Sequence, residues 1–300
     1  MPRPSTPKLA AALALAVVAI GSAALWIRLS HASALSISFH RLAYASVILA
    51  APGWRALRAE LPSLPTRARW AIPAAGAMLA LHFAAWIASM APSSPYATST
   101  AASTTLVVTH PAMVVLAERV LHGTRVSAMK AAGIALALAG AAVIAAGDAG
   151  SGHRVTGDLL ALVGAAAGAG YFMLGAGLRS RLGLMAYVFP VYATAAAALW
   201  VAAMALGLPL HTPSLREHAL FMATALGPML VGHTTLNWAL RWLPAWLVSA
   251  TILAEPPVSV AMVFLATGER PPSSAWWGGA LVLGGLAVLT RSAAPKEGER

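Results

Sequence analysis

The chain has 300 residues, of which 59% are hydrophobic and only 10% are Asp, Glu, Lys or Arg. A soluble domain carries about 25% charged residues and cannot hide this much apolar surface, so the natural solvent is a bilayer. The formal net charge of +11 does not indicate nucleic acid, because the basic residues are dispersed among short loops and form no basic helix with interleaved aromatics. The absence of cysteine excludes disulfides and thiolate metal sites.

A membrane helix needs about 20 mostly apolar residues. Ten runs meet this expectation, in the order 9–29, 33–51, 70–90, 95–117, 128–147, 158–178, 185–207, 219–240, 245–267 and 275–291. The first follows Arg3 and Lys8 and could pass for a signal peptide, but it has a counterpart later in the chain and is read as a retained helix. The second contains Arg41 and is expected to stop at "APGW", 51–54. The third carries His82 with Trp86 four residues on; the fourth carries His110-Pro111. The fifth and tenth have no interior polar group and small residues at close spacing, which predicts a tightly packed scaffold or dimer surface. The eighth carries His233, Asn237 and Trp238; the ninth, Glu255-Pro256. The breaks hold turn chemistry, as in "APSSP" (91–95), "GDAGSGH" (147–153) and "GERPPSS" (268–274). All connections are short, which leaves no room for a soluble catalytic domain.

The charges orient these runs. With the N-terminus in the cytoplasm, 15 of the 20 Lys and Arg residues fall on the inner side and four (Arg28, Arg154, Arg216, Arg270) on the outer, with Arg41 inside a span. Such a bias predicts ten helices with both ends cytoplasmic. The halves also match each other. At a shift of 145, His110-Pro111 falls on Glu255-Pro256, Gly140 on Gly285 and Trp26 on Tyr171; His82 meets His233 at 151 and Phe39 meets Phe189 at 150. A repeat of five helices is odd, so the second copy is inverted, an arrangement typical of secondary transporters with a midplane site between the repeats. The expected organisation is a first repeat at 1–148, a second at 153–292 and a cytoplasmic tail at 293–300.

These features carry a resemblance. The helix-2 pattern "FHRLAYA" and the two repeat ends, "HPAMVVLAERVLHGTRVSAMKAAGIALALAG" and "EPPVSVAMVFLATGERPPSSAWWGGALVLGG", are similar to the drug/metabolite transporter superfamily, EamA type. The second end keeps "GER" where the first has "GTR". The likeness covers essentially the whole chain and is greatest to bacterial amino-acid exporters of the YddG type. It implies an all-α protein of the bacterial inner membrane, ten transmembrane helices as two inverted repeats, a small-molecule solute and no cofactor.

Ionisable residues at membrane depth are costly and face the bundle interior. His82 and His233 lie near mid-depth of their runs, and His82 shares a helical face with Trp86 as His233 does with Asn237. With Trp26, Tyr171 and Trp238 they are the candidate substrate wall; hydrogen bonding between helices is the plainer role for each histidine. Arg41, Glu255 and His110, with Pro111 and Pro256, are candidates for gating or coupling, since proline frees a carbonyl and lets a helix bend. Arg41 cannot shed its proton and must find a carboxylate, carbonyls or water; the resemblance favours a gating or structural role for it. No metal site is expected.

Export of amino acids with aromatic or other apolar side chains is the leading reading, with a polyspecific cationic-drug/proton antiporter as the alternative. That antiporter chemistry usually rests on a carboxylate in helix 1, and the first run has none, so Glu255 alone supports it. No H-E-x-x-H or G-x-S-x-G motif, paired intramembrane aspartate or nucleotide loop supports an enzyme or direct use of ATP.

Overall fold

The computed structural model describes residues 3–98, 100–146, 155–212, 214–267 and 273–293. The "GDAGSGH" loop, most of "GERPPSS", the repeat boundary expected at 148–153 and the tail at 294–300 lie outside them. All regular structure among the described residues is helical. In chain order the α-helices are α1 Thr6–Gly21, α2 Ala23–Leu29, α3 Ala34–Glu60, α4 Thr66–Arg69, α5 Ala71–Met90, α6 Thr100–Val107, α7 His110–His122, α8 Ala128–Ala146, α9 Val155–Arg179, α10 Leu184–Leu206, α11 Leu215–Thr224, α12 Thr234–Ala239, α13 Ala245–Thr251, α14 Glu255–Thr267 and α15 Ser273–Ala293. A π-helix, Ala225–His233, joins α11 to α12, and a 3₁₀ turn, Ile252–Ala254, joins α13 to α14.

Among the described residues, eight of these segments, singly or joined, are long and apolar enough to cross a bilayer: Thr6–Leu29, Ala34–Ser63, Thr66–Met90, Ala102–Leu121, Val155–Arg179, Leu184–Leu206, Leu215–Ala239 and Ala245–Ala266. The chain is thus a multi-pass membrane protein. Helices α8 and α15 hold shorter apolar stretches, 128–143 and 276–289, and pack on each other. Lipid offers no hydrophobic drive for helices to associate, so close packing of small residues does that work. A Cβ on Gly140 would lie 2.5 Å from the Gly278 carbonyl oxygen, and one on Gly285 would lie 2.5 Å from the Ala137 nitrogen.

Helix α3 does not stop at Pro52-Gly53 but continues to Glu60. The proline forfeits one backbone bond inside the helix, while the glycine beside it admits Phe189 of α10: a Cβ on Gly53 would sit 2.2 Å from the Phe189 Cβ. Close antiparallel packing along α3 and α10 holds the helix together across a sequence that reads as a turn.

Two spans are interrupted. The fourth breaks between Val107 and His110, and α7 restarts with His110 followed by Pro111. The Ala245–Ala266 span breaks at the 3₁₀ turn, and α14 restarts with Glu255 followed by Pro256 and Pro257. Proline suits the first turn of a helix, where its missing N–H has no partner to lose. Each restart therefore places an ionisable residue at the first helical position, deep in the protein.

Two polar clasps tie segments of the first half to segments of the second. At the N-terminal end of α3, the Glu217 carboxylate of α11 accepts from the Ser30 hydroxyl and, at 3.0 Å, from the His31 N–H, while Arg216 Nη2 donates to the Leu29 carbonyl at 2.7 Å. At the other end, the Glu60 carboxylate accepts from the Gly183 N–H at 2.5 Å, at the N-terminus of α10, where the helix dipole favours a negative charge. The 27 residues of α3 between them span ~40 Å at 1.5 Å per residue. Glu217→Ala is expected to loosen only the first clasp. In this cysteine-free chain, an Ile27→Cys probe, buried one turn below Ser30, should then react several-fold faster with a water-soluble thiol reagent. Glu60→Ala should leave that rate unchanged; equal acceleration by both would mean that the two ends do not act separately.

Candidate functional site

The two helix breaks face one small internal cavity of about 20 Å³. It is lined by Ile20 of α1, His82 and Trp86 of α5, Val107, Val108 and His110 at the first break, His233 at the end of the π-helix, and Ile252 and Glu255 at the second break. A space of this size holds about one water. Residues from both halves of the chain therefore meet around a polar point inside an otherwise apolar bundle.

The rings pack closely. His82 stacks on Trp86 with centroids 6.1 Å apart and meets His233 at 6.4 Å, nearly edge-on. The His82 Nδ1 lies 2.8 Å from the Gly164 carbonyl of α9. A carbonyl only accepts, so Nδ1 carries the proton and Nε2 of the neutral ring is the acceptor. Gly168, one turn along α9, makes room for this: a Cβ there would stand 2.9 Å from His82 Nδ1 and 3.3 Å from His110 Cδ2. His110 rests edge-on against Phe172 at 5.5 Å. Arg41 is fully buried beside the cavity. Its guanidinium carbon lies 3.9 Å over the centre of the Phe83 ring, and Phe83 in turn meets His233 at 5.2 Å. The cation is thus held by an aromatic face, and no carboxylate of the described residues lies within ion-pairing distance of it.

What distinguishes this region is its unmet hydrogen bonding. Arg41 Nε, Nη1 and Nη2, Trp86 Nε1, His110 Nδ1, His233 Nδ1 and Glu255 Oε1 are all buried with no hydrogen-bond partner in the protein. A buried polar atom left unpaired costs ~1–3 kcal/mol, and more when charged. One water cannot serve all seven.

A second polar cluster adjoins the first and is bonded internally, although Asn237 Oδ1 has no hydrogen-bond partner. Asn237 Nδ2 donates to Tyr171 Oη at 2.5 Å and to Tyr192 Oη at 3.3 Å, and the Tyr192 and Thr234 hydroxyls are 3.1 Å apart. Of the substrate-wall candidates, His82, Trp86 and His233 line the cavity, whereas Asn237 and Tyr171 meet in this neighbouring network. Trp26 donates its indole N–H to Ser22, one turn back, and Trp238 packs half-buried on the hydrophobic core. Of the gating candidates, His110 and Glu255 line the cavity, Arg41 sits behind Phe83, and Pro111 and Pro256 stand at the two breaks. Phe83 and Tyr192 were not singled out from the sequence. Tyr192, a polar-tipped aromatic two residues past Pro190 in an apolar run, carried a usable signal; Phe83 carried none beyond its place beside His82. A more open hollow of about 360 Å³, which includes Phe39, His40, Trp200 and His211, lies towards the N-terminal end of α3. No group of three His, Cys, Asp or Glu among the described residues is placed to hold a metal.

Residues 155–291 match the EamA-like transporter family. A probable terminal-alkyne amino-acid exporter of Streptantibioticus cattleyicolor is 30% identical to the chain over 189 residues, 62% of each protein. The match thus spans less than two thirds of that relative's length. A solved crystal structure aligns with a TM-score of 0.75 over 96% of this chain and 99% of its own, at 20% identity. That likeness shows a shared fold alone.

Proposed function

We propose, from the match of residues 155–291 to the EamA-like transporter family, that the whole protein is a secondary transporter that exports small metabolites, foremost amino acids with aromatic or other apolar side chains. The observation that carries this reading is the cavity itself, a buried polar point formed by both halves where two interrupted spans meet. Discontinuous helices around a midplane site are how transporters bring polar groups to a solute inside a bilayer. The name of the Streptantibioticus cattleyicolor relative supports the solute class, and the YddG-type likeness belongs to the same proposal.

The mechanism proposed is alternating access by two inverted five-helix repeats, 1–148 and 153–292, with α8 and α15 as the fifth and tenth spans and as scaffold or dimer surface. A cavity of about 20 Å³ is smaller than any amino acid, so the state described here has no room for the solute at this point. Admitting a solute requires the chain to move at the breaks beside Pro111 and Pro256, with Pro190 and Pro228, which lie inside helices, as further candidate bend points. The excess of Lys and Arg on one side supports placement in the bacterial cytoplasmic membrane with both termini inside. Export of cationic drugs in exchange for protons is the second reading, and the buried Glu255 favours it.

Proteoliposomes preloaded with unlabelled phenylalanine should accumulate labelled phenylalanine and leucine by counterflow, with little uptake of glycine. Repeating the measurement with and without a pH gradient separates exchange from proton coupling. Counterflow of a lipophilic cation, with none of any amino acid, would overturn the amino-acid reading in favour of the antiporter.

A further inference from the structure

Building on the amino-acid reading above, we propose that this site selects zwitterions by charge count, with Glu255 taking the solute's ammonium and Arg41 its carboxylate. Three observations carry the proposal. First, the two residues are the fully ionisable pair at the centre of the bundle, 3% and 0% exposed, and they come from opposite halves of the chain. Second, every guanidinium nitrogen of Arg41 and Oε1 of Glu255 lack a hydrogen-bond partner. Third, the guanidinium lies on an aromatic ring that leads to the cavity: Arg41 Cζ is 3.9 Å over the centre of Phe83, and Phe83 meets His233, which lines the cavity together with Glu255.

The donors and acceptors match the two ends of an α-amino acid. An ammonium brings three donors, to which Glu255 Oε1 is a charged acceptor; a carboxylate brings only acceptors, which suit the planar fork of Arg41 and the Trp86 indole N–H. A solute with both charges leaves the occupied core neutral. A cation without a carboxylate would satisfy Glu255 and strand Arg41; an anion without an ammonium would do the reverse. Truncation to either single charge therefore leaves a buried protein charge without a partner, the situation in which sites discriminate most strongly. The same count disfavours the cationic-drug reading, since a drug cation would add to the uncompensated charge of Arg41.

The test uses the purified full-length protein and three probes that share one side chain, leucine, leucinamide and N-acetyl-leucine. They are compared by thermal stabilisation in detergent and by competition against leucine counterflow in proteoliposomes. Leucine should act at concentrations about tenfold or more below either singly charged analogue. Glu255→Gln should bring N-acetyl-leucine to near parity with leucine while leucinamide stays excluded, and Arg41→Gln should do the opposite. If either single variant fails to insert, the charge-neutral double variant answers: it should show no preference among the three. A parent that accepts leucinamide or N-acetyl-leucine as readily as leucine overturns the proposal, as does a double variant that keeps the parent's preference. Taurine, a zwitterion that is not a carboxylic acid, and its singly charged parts separate the two readings. Stabilisation by taurine alone, with leucine inert, would sink the amino-acid reading and leave the charge assignment standing. No stabilisation by any zwitterion would sink both.

Discussion

Gly168→Val is expected to cut the apparent affinity for solute sharply while the protein still inserts and runs as a single species. The backbone of α9 passes so close to α5 and α7 that even a Cβ would stand 2.9 Å from His82 Nδ1 and 3.3 Å from His110 Cδ2. Valine adds two further carbons in the same direction. Overpacking of this kind costs ~1–3 kcal/mol, and here the groups that must yield are two cavity walls at once. Because about 1.4 kcal/mol is a factor of ten, the expected loss in counterflow affinity is ~5- to 150-fold. Gly177→Val on the same helix is the matched control: a Cβ there meets nothing within 4 Å, so the same change in helix propensity and volume should leave transport within about twofold. Equal loss in both variants would point to α9 as a whole rather than to the histidines. No loss in either would remove His82 and His110 from the transport path.

Asn237→Leu should reduce stability without changing which solutes compete. Leucine has nearly the same shape but cannot donate, and Tyr171 Oη would lose its 2.5 Å partner in a fully buried position. Tyr192 retains Thr234, so the damage is one stranded hydroxyl, ~1–3 kcal/mol, offset in part by removal of the unpaired Asn237 Oδ1, and read as a shift of the unfolding midpoint in detergent. Adding Tyr171→Phe removes the stranded hydroxyl and should restore much of the loss, a non-additivity that a double-mutant cycle measures directly. Should Asn237→Leu instead be as stable as the parent and alter the order of preferred amino acids, then Asn237 contacts solute.

The contrast between His233 and Asn237 shows how far a single sequence reaches. Both were legible as polar residues at membrane depth, because lipid penalises such groups wherever they stand. Their shared helical face was legible too. What meets that face was not: the partners of Asn237 come from positions 171 and 192, and nothing local in "HTTLNW" specifies two tyrosines from other spans. Arg41 is similar. Its need for a partner followed from charge alone, but the sequence offered carboxylate, carbonyl or water, and the fold supplies the face of Phe83. Trp26, by contrast, bonds a serine four residues earlier, a spacing that was readable. The helix end at the left-handed Gly207, φ 64°, was read well; the run expected to end at 117 instead continues to His122 before the left-handed Gly123, and the turn signal at Pro52-Gly53 is overridden by packing against Phe189.

The π-helix at Ala225–His233 gives the second half a length of chain wound more loosely than the α-helices on either side. Its i→i+5 bonds enclose one residue more per ring than i→i+4 bonds do. Rewinding a single ring to the α form would turn everything that follows by about 100°, the angular step of one residue in an α-helix. His233 is the last residue of the segment and Asn237 lies one turn beyond it, so such a rewinding would swing the imidazole off the cavity and pull the amide from Tyr171 in the same movement. A change of winding over these nine residues would thus move both polar clusters together, and Pro228, which cannot donate to either bonding pattern, lies within the segment.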